Sequence, residues 1–195
     1  RAPMPSDLAE QIALVHEACE ALGVQVLTYA GFEADDVIGT LAMRSSAEGR
    51  PVTIVTGDKD FFQLVNDDTG IHVFNPRDDG TWYDAAGVKD KFGVAPDQVV
   101  DVLALMGDAI DNIKGVPGIG EKGARDLIST HGSLDALLEN AASLPKKEHR
   151  EALLAHADAA LESRTLLRIR TDVPLPNVEI SCFDYRGPNR RKCFE

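Results

Sequence analysis

The sequence predicts an α/β fold in its first half and a helical module in its second. Three short apolar segments rich in β-branched residues are typical of buried strands, at 24–29, 51–56 and 71–74. Helical patterns separate them, and strands that alternate with helices form parallel sheets. From about residue 95 onward the pattern is helical only. We therefore expect a mostly parallel sheet with flanking helices at 1–95, a helical module at 96–171 and an extended segment leading out of the domain at 172–195.

Glycines and apolar spacing define the helices of the first half. The first helix carries an apolar stripe through Leu8, Ile12 and Val15 and ends at Gly23, which leads into the first strand. The second helix ends at Gly49. A short helical stretch, FFQLV, follows the second strand.

The helices of the second half have clearer starting signals. Pro96 suits a first helical position, and Ser133 is placed to cap the helix that follows it. The expected helices lie at 83–92, 96–106, 121–130, 134–140 and 146–169. The buried side of the last one is expected to carry Leu153, Leu154, Ala157, Leu161 and Leu167.

The composition excludes several classes of protein. The three cysteines are far apart and in no CxxC spacing, so neither a disulfide framework nor a zinc site is supported. No apolar run approaches the roughly 20 residues of a membrane span, and the N-terminus does not have the layout of a signal peptide. We expect a cytoplasmic protein with no membrane partner.

The net charge would ordinarily argue against nucleic acid as a partner. It is −12, whereas phosphate binding depends mainly on Lys and Arg. That argument fails if the acidic residues are concentrated around divalent cations, because bound ions invert the local charge.

The acidic residues that matter most fall into three groups at predicted strand or helix ends. In α/β folds, side chains from such ends converge on one crevice. The groups are Glu33, Asp35 and Asp36; Asp58 and Asp60; and Asp108 and Asp111.

Seven carboxylates in a small volume require an offsetting positive charge, because neighbouring like charges resist ionisation. Mg²⁺ or Mn²⁺ is the expected answer, since these ions take oxygen ligands and no His or Cys stands at ligand spacing. Two such ions about 4 Å apart activate water and stabilise the leaving oxygen of a phosphodiester. The pattern predicts a phosphoryl-transfer hydrolase.

Each acidic motif is weak when taken singly. A capping role is the first alternative for Asp36 or Asp60, and Glu33 to Asp36 could form an exposed acidic turn. Recurrence at three successive ends favours the metal site, as does Gly57, which would let the chain turn sharply before Asp58. Lys59, between two acids, is read as simple charge balance.

The glycine turn, defined as residues Gly115 to Gly120, precedes a predicted helix. Gly118 and Gly120 permit close approach of the backbone, and N–H groups at a helix start favour phosphate. The alternative is a tight connection between helices in which the glycines only satisfy backbone angles. Pro117 and Lys122 favour phosphate contact, and no group suited to reading bases is evident.

Three segments, in this order and at these separations, resemble the 5'-3' exonuclease domain of bacterial DNA polymerase I, within the wider flap-endonuclease family. They are FEADDVIGTLA, TGDKDFFQLV and LMGDAIDNIKGVPGIGEKGA. The resemblance covers nearly the whole chain, and the combination of motifs is highly specific. It implies a PIN-like fold with a helix-hairpin-helix module, two divalent metal ions, and removal of RNA primers or displaced 5' flaps in DNA replication and repair.

The resemblance also implies residue roles. All seven acids belong by motif position to the metal site, and the catalytic ones are Asp35, Asp36, Asp58 and Asp111. The glycine turn is implied to grip flapped or nicked duplex DNA without sequence preference and, in relatives, to hold a monovalent cation such as K⁺ through backbone carbonyls. Its implied DNA-binding residues are Gly115, Val116, Gly118, Ile119, Gly120 and Lys122.

Two departures from the family pattern carry expectations of their own. Lys114 stands where the family usually has proline, which would loosen one arm of the hairpin or add a phosphate contact. The family's first strand, two further Asp residues and the basic helical arch are expected to precede Arg1, with a polymerase domain in the same parent chain. On that expectation this is an excised segment of a nuclease.

Three hypotheses follow. The leading one is a metal-dependent 5' nuclease acting on branched DNA. The second is a segment that binds DNA structure through the glycine turn without chemistry of its own. The third, an RNA-directed PIN nuclease, accounts for the acids but not for the hairpin.

Overall fold

The computed structural model describes residues 5–175, 179–185, 187–189 and 191–193. Two compact units divide the chain. One comprises the residues up to Ala34 together with those from Val173 onward, and the other comprises Asp35–Asp172. The boundaries predicted from the sequence, at 95/96 and 171/172, stay a prediction.

The smaller unit contains the first helix, α1 (Ser6–Ala21), which ends as predicted, with Gly23 at φ +75°. Its expected stripe is exposed, since Leu8, Ile12 and Val15 have 40–56 % of their surface accessible. The amide N–H of Asn189 donates to Ala21 O at 2.7 Å, and Lys192 Nζ pairs with Glu20 at 2.6 Å. These bonds hold the end of α1 to the C-terminal segment.

The predicted strand at 24–29 is wrong. These residues form no regular secondary structure, and Val24 and Val26 are more than two-fifths exposed. A strand requires a neighbour for its backbone N–H and C=O groups, and within the described residues no strand pairs with this segment. The expected extended segment at 172–195 contains one short 3-10 helix, Ile180–Phe183. Part of that segment, at 176–178, 186, 190 and 194–195, lies outside the described residues.

The larger unit contains the sheet. Its strands β1 (Val52–Val55), β2 (Ile71–Asn75) and β3 (Thr81–Tyr83) lie in the order β1-β2-β3. β1 and β2 are parallel, as predicted, with Val52 opposite Ile71, whereas β3 is antiparallel to β2. The crossover from β1 to β2 includes the predicted helical stretch, a 3-10 helix at Lys59–Leu64.

The α/β class is confirmed, with helices on a small sheet. Helix α2 (Ala34–Ala47) precedes β1, and α3 (Ala85–Phe92) follows β3. The expected start of α3 at residue 83 is two residues early, because Tyr83 belongs to β3 and Asp84 caps the helix by accepting the N–H of Gly87 at 2.7 Å.

The second half is almost entirely helical, as predicted. Pro96 opens a short 3-10 turn that leads into a deeply buried helix, and Ser133 caps another by accepting the N–H of Ala136 at 3.2 Å. Between two of the helices lies an unpredicted two-stranded ladder, β4 (Gly107–Asp108) with β5 (Ile113–Lys114). The helices are α4 (Val99–Met106), α5 (Glu121–His131), α6 (Leu134–Glu139) and α7 (Lys147–Leu167).

Helix α7 buries a narrower face than expected. Leu153, Ala160 and Leu167 are buried at seven-residue intervals, whereas Leu154 is 59 % exposed and was wrongly assigned to the buried side. Neighbouring residues on a helix point about 100° apart, so Leu153 and Leu154 cannot both face the core. The helix is also kinked at His156, where φ is −128°.

Candidate functional site

The exit of β1 is built around Asp58. Its amide N–H donates to Thr56 Oγ1 at 3.0 Å, and its carboxylate Oδ1 accepts the N–H of Asp60 at 3.0 Å. Asp58 therefore caps the 3-10 helix while its side chain stays exposed. The chain does bend at Gly57, as expected, but without the positive φ that only glycine adopts readily. A Cβ at Gly57 would lie 3.0 Å from Arg77 Cδ.

Asp108 lies just past α4 and is almost completely buried. Its Oδ2 accepts a hydrogen bond from Lys59 Nζ at 2.6 Å, and its Oδ1 accepts the N–H groups of Ile110 at 2.7 Å and Asp111 at 3.3 Å. Burial alone would raise the pKa of Asp108, but the Lys59 ammonium and the two N–H groups outweigh it and lower the pKa. Asp108 is held ionised, and Lys59 has a definite partner 49 residues away.

Asp60 differs from Asp108 in that its pKa is raised and one of its carboxylate oxygens has no hydrogen-bond partner. Its Oδ1 is buried and has no hydrogen-bond partner. Burial raises the pKa of Asp60 to about 7, with further increases from Asp58, Asp108 and Asp111 and a partial opposing effect from Lys59. The structure thus brings the second and third acidic groups together. We call Asp58, Asp60, Asp108 and Asp111 the acid cluster.

A divalent cation fits the acid cluster by the chemistry of its donors. Three of its carboxylates, those of Asp58, Asp60 and Asp108, interact electrostatically with the Lys59 ammonium, and an orphaned buried oxygen of Asp60 is available to a hard cation. No three Asp, Glu, His or Cys side chains in the described ranges already form a group that could hold a metal ion. The negative charge of the acid cluster therefore favours a cation, but its side chains do not already surround a metal position.

The three residues of the first acidic group differ from one another in their surroundings. Asp36, in the first turn of α2, accepts the backbone N–H of Arg170 at 2.9 Å through Oδ1, so part of its function is structural. Asp35 is half-buried in the same turn, and Glu33 is exposed in the smaller unit. Convergence of all three groups stays a prediction.

The glycine turn is held by close backbone contacts. A Cβ at Gly115 would lie 2.3 Å from Met106 C, 2.4 Å from Gly107 N and 2.5 Å from Leu105 O, so no larger residue fits. The N–H of Val116 donates to Leu105 O at 2.7 Å. Gly115 therefore has a packing role, which is distinct from the expected alternative of satisfying backbone angles, since its φ is not positive.

The backbone at Lys114 connects this arm of the turn to two other segments. It pairs with Gly107 in the β4-β5 ladder, and its carbonyl accepts a hydrogen bond from Ser163 Oγ of α7 at 2.9 Å. The loosening expected from the absence of proline stays a prediction. The exposed side chain of Lys114 leaves the second expectation, a phosphate contact, as a prediction.

The far side of the turn is open. Gly118 has φ +82°, and a Cβ at Gly118 or Gly120 would meet nothing within 4 Å. Gly120 is the N-cap of α5, and Lys122 in the first turn is exposed. Phosphate can approach the start of α5 at these residues.

Two of the residues predicted to bind DNA have another role. Val116 and Ile119 are each only 3 % exposed and pack into the core, where they anchor the turn. Their side chains cannot contact DNA, so any contact they make is through the backbone.

An open groove of about 370 Å³ runs beside the exposed face of α5. Two acidic and two basic residues line it, and Arg125 stacks over the Phe92 ring at 4.9 Å while pairing with Glu121. The lining consists of Gly93, Glu121, Lys122, Arg125, Asp126 and Ser129. Its mixed charge gives no strong preference for an anion.

Sequence reasoning missed two contributors to this region, the Lys59–Asp108 pair and the Arg170 N–H that engages Asp36. The position of Lys59 between two acids was a signal for the first. The Arg170 N–H is a backbone group, and its contact with Asp36 cannot be predicted from a pattern of side chains.

Comparison with known families accounts for residues 1–191 of the chain. Residues 1–93 match the family model of the 5'-3' exonuclease N-terminal resolvase-like domain, and residues 94–191 match that of the 5'-3' exonuclease C-terminal SAM fold. The chain belongs to the 5'-3' exonuclease family.

Its curated relatives include bacterial DNA polymerases I. The chain is 46 % identical to that of Pseudomonas aeruginosa over 201 residues, covering 100 % of the chain, and 44 % identical to the thermostable enzyme of Thermus aquaticus over 192 residues, covering 98 %. It spans 22 % of the length of each of these relatives.

Solved structures share the fold. The T5 5'-exonuclease with bound divalent zinc ions has a TM-score of 0.75 at 23 % identity, over 87 % of this chain and 64 % of that one. The bacteriophage T5 flap endonuclease, in a pseudo-enzyme-product complex with DNA and metal ions, has a TM-score of 0.74 at 22 % identity, over 87 % and 64 %. No helix in the described part of the chain is both long and apolar enough to cross a bilayer.

Proposed function

We propose that this chain is a divalent-metal-dependent 5'-3' exonuclease and structure-specific flap endonuclease that hydrolyses phosphodiesters of DNA or of RNA primers. The acid cluster carries the proposal, because it joins four carboxylates from segments 50 residues apart, one of them with a buried, unpartnered oxygen. Family membership supports the reaction class. The parent protein is a DNA polymerase I acting in replication and repair in the cytoplasm, at the nucleoid.

Two Mg²⁺ or Mn²⁺ ions are the proposed cofactors. Asp58, Asp60, Asp108 and Asp111 would hold them together with Glu33, Asp35 and Asp36, and when bound they supply the Lewis acidity that activates water and stabilises the leaving oxygen. The metal-bound relatives of the same fold support this choice of cofactor class.

The chain's own residues do the remaining work. Lys59 keeps Asp108 ionised, and Asp58 fixes the backbone N–H of Asp60, so that the carboxylates are presented in constant positions. The glycine turn would receive a phosphate of the duplex at Gly118 and Gly120, with Lys122 adding a positive charge and K⁺ as the proposed monovalent ion. Strand β4, which contains Asp108, pairs with β5, which leads directly into the glycine turn at Gly115. The position at which the turn holds a phosphate would therefore determine which phosphodiester bond reaches the acid cluster.

A labelled 5'-flap substrate tests the proposal. The wild-type chain with Mg²⁺ should release short 5' products, and Asp111→Asn should abolish cleavage while DNA binding stays within about twofold. Asp158→Asn, an exposed change on α7, should leave the products unchanged. Undiminished cleavage by Asp111→Asn would refute the assignment.

A second candidate is a segment that binds DNA structure without chemistry. It is favoured by one observation, that the described residues contain no ready-made group of three metal ligands. Flap binding by the wild-type chain, with no products in Mg²⁺ or Mn²⁺, would support it.

A further inference from the structure

The side chain of Gln63 joins the turn that carries Asp60 to the end of α7. Its Nε2 donates to the carbonyl of Asp60 at 2.9 Å and to that of Leu167 at 3.0 Å, and its Oε1 accepts the N–H of Ile169 at 3.0 Å. Two carbonyls on one side of the amide and an N–H on the other leave it a single satisfactory orientation.

The three bonds meet needs of both segments. A 3-10 helix has weaker internal hydrogen bonds than an α-helix, and Gln63 gives Lys59–Leu64 an additional internal bond at Asp60 together with external support at Leu167 and Ile169. Leu167 is the last residue of α7, where the carbonyls have no partner within the helix. Gln63 satisfies that carbonyl and also orders Ile169 beyond it.

The segment that Gln63 holds also reaches the first acidic group. The next residue along, Arg170, donates its backbone N–H to Asp36 Oδ1 at 2.9 Å. A Cβ at Gly39 of α2 would lie 2.6 Å from Ile169 Cγ2, so the absence of a side chain at Gly39 allows α2 and this segment to touch. Asp60 and Asp36, from different acidic groups, are therefore braced from the same short segment, Leu167–Arg170.

We propose that Gln63 is a positioning residue for metal binding, which fixes Asp60 against the end of α7 and, through Arg170, keeps Asp36 in register with it. The inference rests on the proposed function for its catalytic consequence, but its effect on metal binding can be measured without any cleavage. The hydrogen bonds of the Gln63 side chain go to the backbone of Asp60, Leu167 and Ile169, so Gln63 would act through the backbone of Asp60 and not as a ligand. Outer-shell groups of this kind typically change metal affinity by about 10- to 100-fold.

The test compares Gln63→Met with Gln98→Met. Gln98 is a suitable control, because it also links two segments by side-chain bonds, from Ala95 N–H to its Oε1 at 3.1 Å and from its Nε2 to Gly132 O at 2.8 Å, but it touches no residue that bears an acid of the cluster. Methionine keeps the length of the side chain and removes its hydrogen bonds in both variants. Gln63→Asn, shorter by one methylene, is the milder change if Gln63→Met does not fold.

Mn²⁺ binding is measured from the decrease in the electron paramagnetic resonance signal of free Mn²⁺. The melting temperature and the kcat and KM of flap cleavage are measured for the same proteins. Gln63→Met should weaken Mn²⁺ binding about tenfold and lower kcat by a similar factor, with KM for DNA within twofold. Gln98→Met should lower the melting temperature comparably and leave Mn²⁺ affinity unchanged.

The possible failures are distinguishable. The role of Gln63 would be overturned if Gln63→Met had a Mn²⁺ affinity and a kcat within twofold of wild type. The same holds for Gln63→Asn if only that variant folds. This result would leave the proposed function intact. A wild-type chain that binds Mn²⁺ but cleaves nothing would overturn the proposed function, and a Mn²⁺ defect in Gln63→Met would then still support the positioning role. A wild-type chain that binds no Mn²⁺ would overturn both.

Discussion

The acid cluster and the glycine turn are neighbours in sequence but are stabilised in opposite ways. In the acid cluster, Asp58, Asp60 and Asp108 interact with one lysine, Lys59, and burial together with the neighbouring carboxylates raises the pKa of Asp60 to about 7. In the glycine turn, close backbone contacts at Gly115 and buried Val116 and Ile119 hold the chain without any ligand. The comparison indicates that a ligand should change the stability of the acid cluster much more than that of the turn.

The largest expected effect comes from filling the close contact in the glycine turn. Gly115→Ala places a Cβ within 2.5 Å of three backbone atoms of the α4 end, so the backbone must move. We expect a loss of about 3 kcal/mol or more and a fall in melting temperature of roughly 10 °C. Thermal unfolding of Gly120→Ala, whose Cβ meets nothing within 4 Å, is the control and should differ little from wild type. Equal stability of the two variants would contradict the packing role of Gly115.

The next effect breaks the charge balance of the acid cluster. Lys59→Met leaves Asp108, only 5 % exposed, without its counter-ion, and we expect a loss of about 2 kcal/mol after allowing for the partial exposure of Lys59. The pKa of Asp108 is depressed and that of Lys59 is raised, so this stabilisation is present between about pH 4 and 10 and is lost as the pH falls through the pKa of Asp108.

Denaturant unfolding of Lys59→Met against wild type at pH 7 and at pH 3 checks this, since the difference should shrink at pH 3. Lys91→Met, which removes the exposed pair with Asp78 at 2.8 Å, is the matched control and should change stability little. A similar loss in the two variants would contradict the special role of Lys59.

Removing the buried charge of Asp60 gives an effect of similar size and opposite sign. Asp60→Asn removes a carboxyl whose pKa is raised to about 7 from its ordinary value, so the wild-type fold loses stability as the pH rises from about 4 through 7. In EDTA at pH 8 the variant should be more stable by about 2 kcal/mol, a melting temperature higher by a few degrees. The gain should vanish near pH 4, and a gain independent of pH would mean that charge is not its cause.

The smallest effect concerns the open side of the turn. Gly118 has φ +82° but free space around it, so Gly118→Ala adds only backbone strain, about 1 kcal/mol. The melting temperature should fall by a few degrees, well short of the fall for Gly115→Ala. A larger loss of stability for Gly118→Ala than for Gly115→Ala would contradict the conclusion that Gly115 is the more tightly packed of the two glycines.

The predictability of the fold from sequence depended on where the stabilising partners lie. The strands at 52–55 and 71–75 and the cap at Ser133 follow from local rules, and the structure contains them. The segment 24–29 has the composition of a strand but no pairing partner among the described residues, and pairing is not a local property. Leu154 shows the same difficulty on α7, since composition alone cannot say which side of a helix is covered.

The candidate site was predictable to a similar extent. The spacing of the acids indicated that strand and helix ends converge, and Asp58, Asp60, Asp108 and Asp111 do come together. The sequence could not indicate that Asp60 would be orphaned beside a well-satisfied Asp108, because that difference depends on how far Lys59 reaches and on which N–H groups face each carboxylate. The contribution of Gln63 was missed for a similar reason, since two of its three partners lie more than 100 residues away.

The most direct test of a cation site at the acid cluster is the melting temperature of the chain with Mg²⁺ and with EDTA. At a Mg²⁺ concentration about a hundred times its Kd, the wild type should melt roughly 5 °C or more higher than in EDTA. The double variant Asp58→Asn with Asp111→Asn keeps the fold, because both side chains are exposed and Asn caps a helix as well as Asp does, but it should respond to Mg²⁺ hardly at all. An equal Mg²⁺ response in the two proteins, or none in the wild type, would contradict the site.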